Sequence, residues 1–109
     1  MTSPNVVALT DANFQELTRG SEPVFIDFWA AWCPPCRAMN PQIDALADAF
    51  LGKVRVTKCD ADENHEVAAR MNVRSLPTFV VLKAGRVVGQ IVGAVPRAKL
   101  EEMVRASLW

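Results

Sequence analysis

Two cysteines separated by two prolines, in Trp32-Cys33-Pro34-Pro35-Cys36, constrain this chain more than any other stretch, because they fall where a strand pattern becomes a helix pattern. The residues before them, Val24-Phe25-Ile26-Asp27-Phe28-Trp29, are β-branched, aromatic or bulky at almost every position, which predicts a strand buried on both faces. After them, Met39, Ile43, Leu46, Ala47 and Phe50 recur close to the spacing of one helix face. Proline breaks a helix interior but suits the first turn, where the amide groups have no carbonyl partner. Cys33 is therefore expected at the helix N-terminus, where free N–H groups and the positive end of the helix dipole favour a thiolate. Cys36, one turn further in, is more shielded, and the short spacer lets the pair close a disulfide within one turn. That is the layout of a redox dithiol.

A length of 109 residues, half of them hydrophobic, supports one domain over residues 1–109 with a sizeable core. Twelve basic and twelve acidic side chains cancel, so no global field draws the chain to nucleic acid or to an anionic membrane. Partners must be recognised by shape and local chemistry. The start, Met1-Thr2-Ser3-Pro4-Asn5, has neither a basic region nor an apolar core of the secretory kind, and no later apolar run approaches the ~20 residues of a membrane span. A soluble, cytoplasmic protein is the expectation. Three cysteines do not make a structural framework, and a close pair in a reducing compartment is catalytic or metal-binding more often than a staple. The third, Cys59, reads as a small buried hydrophobe on a strand.

Along the chain, Val6-Val7-Ala8-Leu9 predicts a short strand, and Thr10 or Asp11 a cap for a helix that carries Phe14 and Leu17 and ends at Gly20. The central strand and the cysteine helix follow, with Pro41 expected to kink that helix. Lys53 to Cys59 predicts a third strand, with Val54 and Val56 alternating against Arg55 and Thr57. Asp60, Asp62 and Asn64 supply loop and capping groups before a short helix through Val67, Ala68 and Met71, with His65 on its surface. After Pro77, Thr78 to Leu82 and Val87 to Val92 flank a Gly85 turn and predict a hairpin. Pro96 opens a last helix striped by Leu100, Met103, Val104 and Leu108. The order βαβαβαββα predicts an α/β fold: a mixed, mostly parallel sheet with helices on both faces and an antiparallel edge.

Phe28-Trp29-Ala30-Ala31-Trp32-Cys33-Pro34-Pro35-Cys36, together with Asp27, Lys58, Leu76-Pro77-Thr78, Gly85 and Gly93, resembles the thioredoxin family over essentially the whole chain. A lone Cys-x-x-Cys is shared with zinc and haem sites, but several markers in the family's order are not. The resemblance implies the thioredoxin fold and a thiol–disulfide oxidoreductase that reduces disulfides in protein substrates and is recharged by a thioredoxin reductase. It implies a monomer with no cofactor beyond the redox-active Cys33–Cys36 disulfide and no metal. Within it Cys33 is the attacking nucleophile and Cys36 the resolving thiol. Asp27, the one charge in an apolar strand, becomes the general base or proton relay for Cys36, with Lys58 as the modulating charge. The Leu76–Pro77 bond is expected to be cis, and Trp32, Leu76, Pro77, Gly93 and Ala94 are expected to form the apolar rim that receives substrates.

The family's usual Gly-Pro spacer is replaced here by Pro34-Pro35, and Ala31 and Ser75 stand where an acidic residue and a glycine are usual. The spacer bears on redox poise, which leaves a disulfide oxidase or isomerase as an alternative direction of the same chemistry. A binding module that docks partners regardless of redox state is a second alternative. A zinc set of Cys33, Cys36, Cys59 and His65 is a third, poorly spaced across three elements.

Overall fold

The computed structural model describes residues 3–109, so Met1 and Thr2, part of the stretch read as lacking a leader, lie outside the described residues. The elements run β1 (Val7–Ala8), α1 (Phe14–Thr18), β2 (Val24–Trp29), α2 (Pro34–Ala38), α3 (Asn40–Ala49), β3 (Arg55–Asp60), α4 (His65–Arg70), β4 (Thr78–Lys83), β5 (Arg86–Val92) and α5 (Arg97–Ala106). Five strands form one sheet in the order β1-β3-β2-β4-β5. The sheet is mixed, but its parallel share is smaller than the alternation of strands and helices implies. β3 runs parallel to both β1 and β2, whereas β4 runs antiparallel to both β2 and β5.

β2, paired on both edges, is the centre of the molecule, and its alternation sorts the core into two layers. Phe25 packs with Val56, Phe79 and Val81 against Ile43, Leu46 and Phe50 of the α3 region and Leu100 and Val104 of α5. Val24, Ile26 and Phe28 pack with Cys59, Val80 and Leu82 against Phe14 of α1 and Val67 of α4. Successive side chains of a strand point to opposite faces, so Asp27 shares the α3 face with Phe25, and Lys58 shares it with Val56.

Several local expectations take another form. The cysteine helix is broken rather than kinked: α2 stops at Ala38, and α3 begins at Asn40 with Pro41 in its first turn. Pro41 has no N–H to continue the ladder, so it starts a helix instead of bending one. Neither Thr10 nor Asp11 is the N-cap of α1, a place taken by Asn13. Asp11 instead accepts the N–H groups of Glu66 (3.3 Å) and Val67 (2.8 Å), satisfying free donors in the first turn of α4. Thr57 is fully buried and donates its hydroxyl to the Phe25 carbonyl at 2.9 Å, so β3 is covered on both faces and does not alternate with solvent. The hairpin turn, Ala84-Gly85, has positive φ at both residues (52° and 78°), the two-residue turn that suits strand twist.

Candidate active site

β2 ends at Trp29, and the chain turns through Ala30 and Ala31 to place Cys33 as the N-cap of α2, with prolines in the first turn behind it. Cys33 Sγ accepts the Cys36 N–H at 3.3 Å. The sulfurs of Cys33 and Cys36 are joined as a disulfide with Cα atoms 5.3 Å apart. Both cysteines are buried and pack with Ala30, Trp29 and Leu76.

The residues expected at the rim lie on three separate segments. The Leu76–Pro77 bond is cis, and Leu76 packs directly on the cysteine cluster. Pro77 accepts the Gly93 N–H at 2.8 Å, which ties the end of β5 to the loop before β4. Ala94 follows Gly93 and is exposed. Trp32 is 66% exposed, and its indole N–H donates to Asp62 at 2.8 Å. A groove of about 250 Å³ is lined by Trp32, Leu76, Ala61, Ala68, Val73, Arg74 and Ser75.

A second cavity, of about 550 Å³, has walls that include Cys36, Trp29, Asn40, Lys58 and Asp60. Asp27 is fully buried, and neither of its carboxylate oxygens has a hydrogen-bond partner. Burial pushes its pKa up from 3.8 to about 7, and the Lys58 ammonium pulls against that rise. Lys58 stands in register with Asp27 but directs its ammonium to Asn40 and lies 5.1 Å over the Trp29 ring.

Cys59 sits on the opposite face of the sheet, completely buried. Burial, then the carboxylates of Asp11, Asp60 and Asp27, push its thiol up to about 12, so it stays protonated and inert at neutral pH. His65 is exposed at the start of α4. The four residues of the zinc alternative are therefore scattered, and among the described residues no group of three or more His, Cys, Asp or Glu side chains is placed to hold a metal.

The family model described as Thioredoxin matches residues 5–106. The chain belongs to the thioredoxin family. It is 46% identical over 95 residues to a thioredoxin of Alicyclobacillus acidocaldarius, covering 87% of this chain and 90% of that one. It is 42% identical over 101 residues to thioredoxin 1 of a Nostoc species, covering 92% and 94%. Its structure superposes on that of thioredoxin f from spinach chloroplast with a TM-score of 0.88 at 35% identity, over 94% of this chain and 86% of that one. As a thioredoxin with its cysteine pair at the family's active-site position, it is a thiol–disulfide oxidoreductase, a protein-disulfide reductase. Thioredoxins act on disulfide substrates and are recharged by a partner reductase.

Two residues beside the disulfide escape sequence reasoning. Asp62 reads as a loop acid, yet it anchors the exposed Trp32. Asn40 falls, in the sequence reading, inside the cysteine helix just before Pro41, and nothing local announces that its partner is Lys58 on β3.

Proposed function

We propose that this thioredoxin reduces protein disulfides through Cys33 as nucleophile, Cys36 as resolving thiol and Asp27 as proton acceptor, with Lys58 as the modulating charge. The observation that carries the reading is the N–H of Cys36 aimed at Cys33 Sγ, a donor that stabilises negative charge on that sulfur. Starting from the dithiol, the Cys33 thiolate attacks one sulfur of the substrate disulfide. That bond breaks, the substrate's other sulfur leaves as a thiolate and takes up a proton, and a mixed disulfide forms. Cys36 then gives its proton to the Asp27 carboxylate and attacks Cys33 Sγ, releasing the first substrate sulfur as a thiolate. Two electrons pass to the substrate, and the chain finishes as the Cys33–Cys36 disulfide seen in this structure. A carboxyl that titrates at about 7 is divided between acid and base near neutral pH, which suits it to take the proton in one direction and return it in the other.

Trp32, Leu76, Pro77, Gly93 and Ala94 form the substrate rim in this reading. Its support is an exposed indole, a leucine packed on the disulfide and a backbone tie from Gly93 to Pro77. The single domain 1–109 works as a cytoplasmic monomer in electron transport and cell redox homeostasis, needing a thioredoxin reductase but no cofactor, metal, nucleic acid or membrane. Balanced charge gives no global field toward nucleic acid or an anionic membrane, and among the described residues no helix is long and apolar enough to cross a membrane. Thiol alkylation read by mass across a series of dithiol buffers tests it, on the wild type and on Cys33→Ser. Two thiols should oxidise together at strongly reducing poise and should not do so in the variant. A midpoint well toward the oxidising side would turn the assignment to an oxidase or isomerase.

A further inference from the structure

Lys58 has a partner within its strand register that it does not take. Its Cα is paired with that of Asp27 across β2 and β3, and paired residues project to the same side of a sheet. A buried carboxylate without a hydrogen bond attracts an ammonium strongly. Yet both Asp27 oxygens are unpartnered, and the one ion pair among the described residues joins Arg55 to Glu22. The Lys58 ammonium donates instead to Oδ1 of Asn40 and rests over the Trp29 ring. Asn40 is the first residue of α3, next to the helix break at Met39. Asn40, Lys58 and Cys36 line one cavity.

We propose that Asn40 is a positioning residue for disulfide exchange: by holding the Lys58 ammonium in the cavity beside Cys36, it keeps that group out of contact with Asp27, limits its pull on the carboxyl and leaves the carboxyl free to exchange a proton. The proposal rests on Asp27 being the proton acceptor of Cys36. Other groups around Asp27 do not compete for it. Its register partner on β4 is Phe79, which carries no charge. From α2, the Arg37 guanidinium is tied to the Ala31 carbonyl at 2.7 Å. Asp60, at the end of β3, accepts the Asp62 N–H at 3.0 Å, and Cys59 lies on the opposite face. Lys58 is the charge that acts on Asp27.

Without Asn40, the ammonium on its flexible stem is released toward the carboxylate, and the carboxyl becomes easier to ionise. The test is a carbon-13 carboxyl titration of Asp27 by NMR in the oxidised wild type, Asn40→Ala, Asn40→Gln, Lys58→Met and the Asn40→Ala/Lys58→Met double variant. Alanine suits the first turn of a helix, and the same spectra report whether each variant is folded. Asn40→Ala should lower the Asp27 midpoint by about one pH unit or more, the size of effect an opposite charge has at close range. Asn40→Gln, which keeps an amide carbonyl, should recover part of that shift. The double variant should titrate as Lys58→Met does, because the effect runs through the ammonium. A midpoint in Asn40→Ala that is unmoved or raised overturns the proposal, as does an equal drop with Lys58 absent. Failure of the underlying reading looks different: the pH profile of protein-disulfide reduction would be the same in Asp27→Asn as in the wild type, whatever Asn40 does to the titration.

Discussion

A carboxyl that titrates at about 7 in the folded chain and at 3.8 unfolded binds more protons folded than unfolded across the interval between. Unfolding free energy therefore falls as pH rises through that interval, and the destabilisation is complete above it. Integrated from pH 4 to pH 8, the loss from Asp27 alone is on the order of a few kcal/mol, a large share of a small domain's stability. Asp48 works the other way: the Ser3 hydroxyl and Asn5 amide hold it below the usual carboxylate range, so its contribution is present above that range and lost in acid. Urea unfolding of the oxidised protein at a series of pH values should show stability dropping toward pH 8. Asp27→Asn should flatten that slope and be the more stable protein above pH 7; an unchanged slope would remove Asp27 as its source. The proposed proton transfer with Cys36 gives a reason for an acid to stand where an amide would be safer. Pro34 is the other residue with a measurable signature. It fixes φ in the first turn of α2 and so restricts the open dithiol. Relieving that restriction is worth about 0.4–1 kcal/mol of chain entropy, so Pro34→Gly should raise the reduction potential by roughly 10–20 mV. A lowered potential on titration against defined dithiol buffers would reject the argument.

Among the elements, β5 and α5 meet more closely than their patterns suggest. Gly89 on β5 faces Met103, and a Cβ there would lie 2.7 Å from Met103 Cγ and 2.8 Å from its Sδ. Gly89→Ala should therefore destabilise the protein by about 1–3 kcal/mol through overpacking. Met103→Ala should remove most of that cost in the double variant, because it clears the atoms the new methyl would meet. Denaturation midpoints of the four proteins decide it, and strictly additive losses would mean that Gly89 is needed for some other reason. Nothing in Val87-Val88-Gly89-Gln90-Ile91 shows this in advance, since a glycine in a strand reads equally as a bulge or a bend. Periodicity did announce the elements themselves: β2, α5 and the hairpin stand close to where their apolar patterns put them. It failed where a partner from elsewhere decides. Asp11 could be read as a cap from its own neighbourhood, but the helix it serves begins more than 50 residues later.

At the scale of the whole molecule, the architecture and the pair Cys33–Cys36 were legible because their markers are local: a buried strand, prolines in a first turn, a proline before the hairpin. Around the pair, Asp27, Lys58 and the rim residues are named as site residues only through the family resemblance, and Asn40 and Asp62 not at all, because these surroundings are built across the sheet. The Asp27–Lys58 register follows from β2 pairing β3, whereas the Asn40–Lys58 bond and the Asp62 anchor on Trp32 join separate elements. The rim shares that origin, since Trp32 comes from the β2–α2 loop, Leu76 from the segment before β4, and Gly93 from the end of β5. In the proposed reading, a surface assembled in this way recognises an extended protein chain through area, which a small disulfide cannot supply. Trp32 offers a large exposed apolar face next to Cys33, already oriented by Asp62, so a substrate that covered it as proposed would cost little side-chain freedom. Trp32→Ala should cut kcat/KM for a folded protein disulfide about tenfold, the effect of losing a contact of ~1.4 kcal/mol. Reduction of a small aromatic disulfide should change by no more than about twofold, because Cys33 and its Cys36 N–H donor are untouched. Asp62→Ala should fall between the wild type and Trp32→Ala, freeing the indole without deleting it. An equal loss on both substrates would place Trp32 in the chemistry at Cys33 and not in recognition.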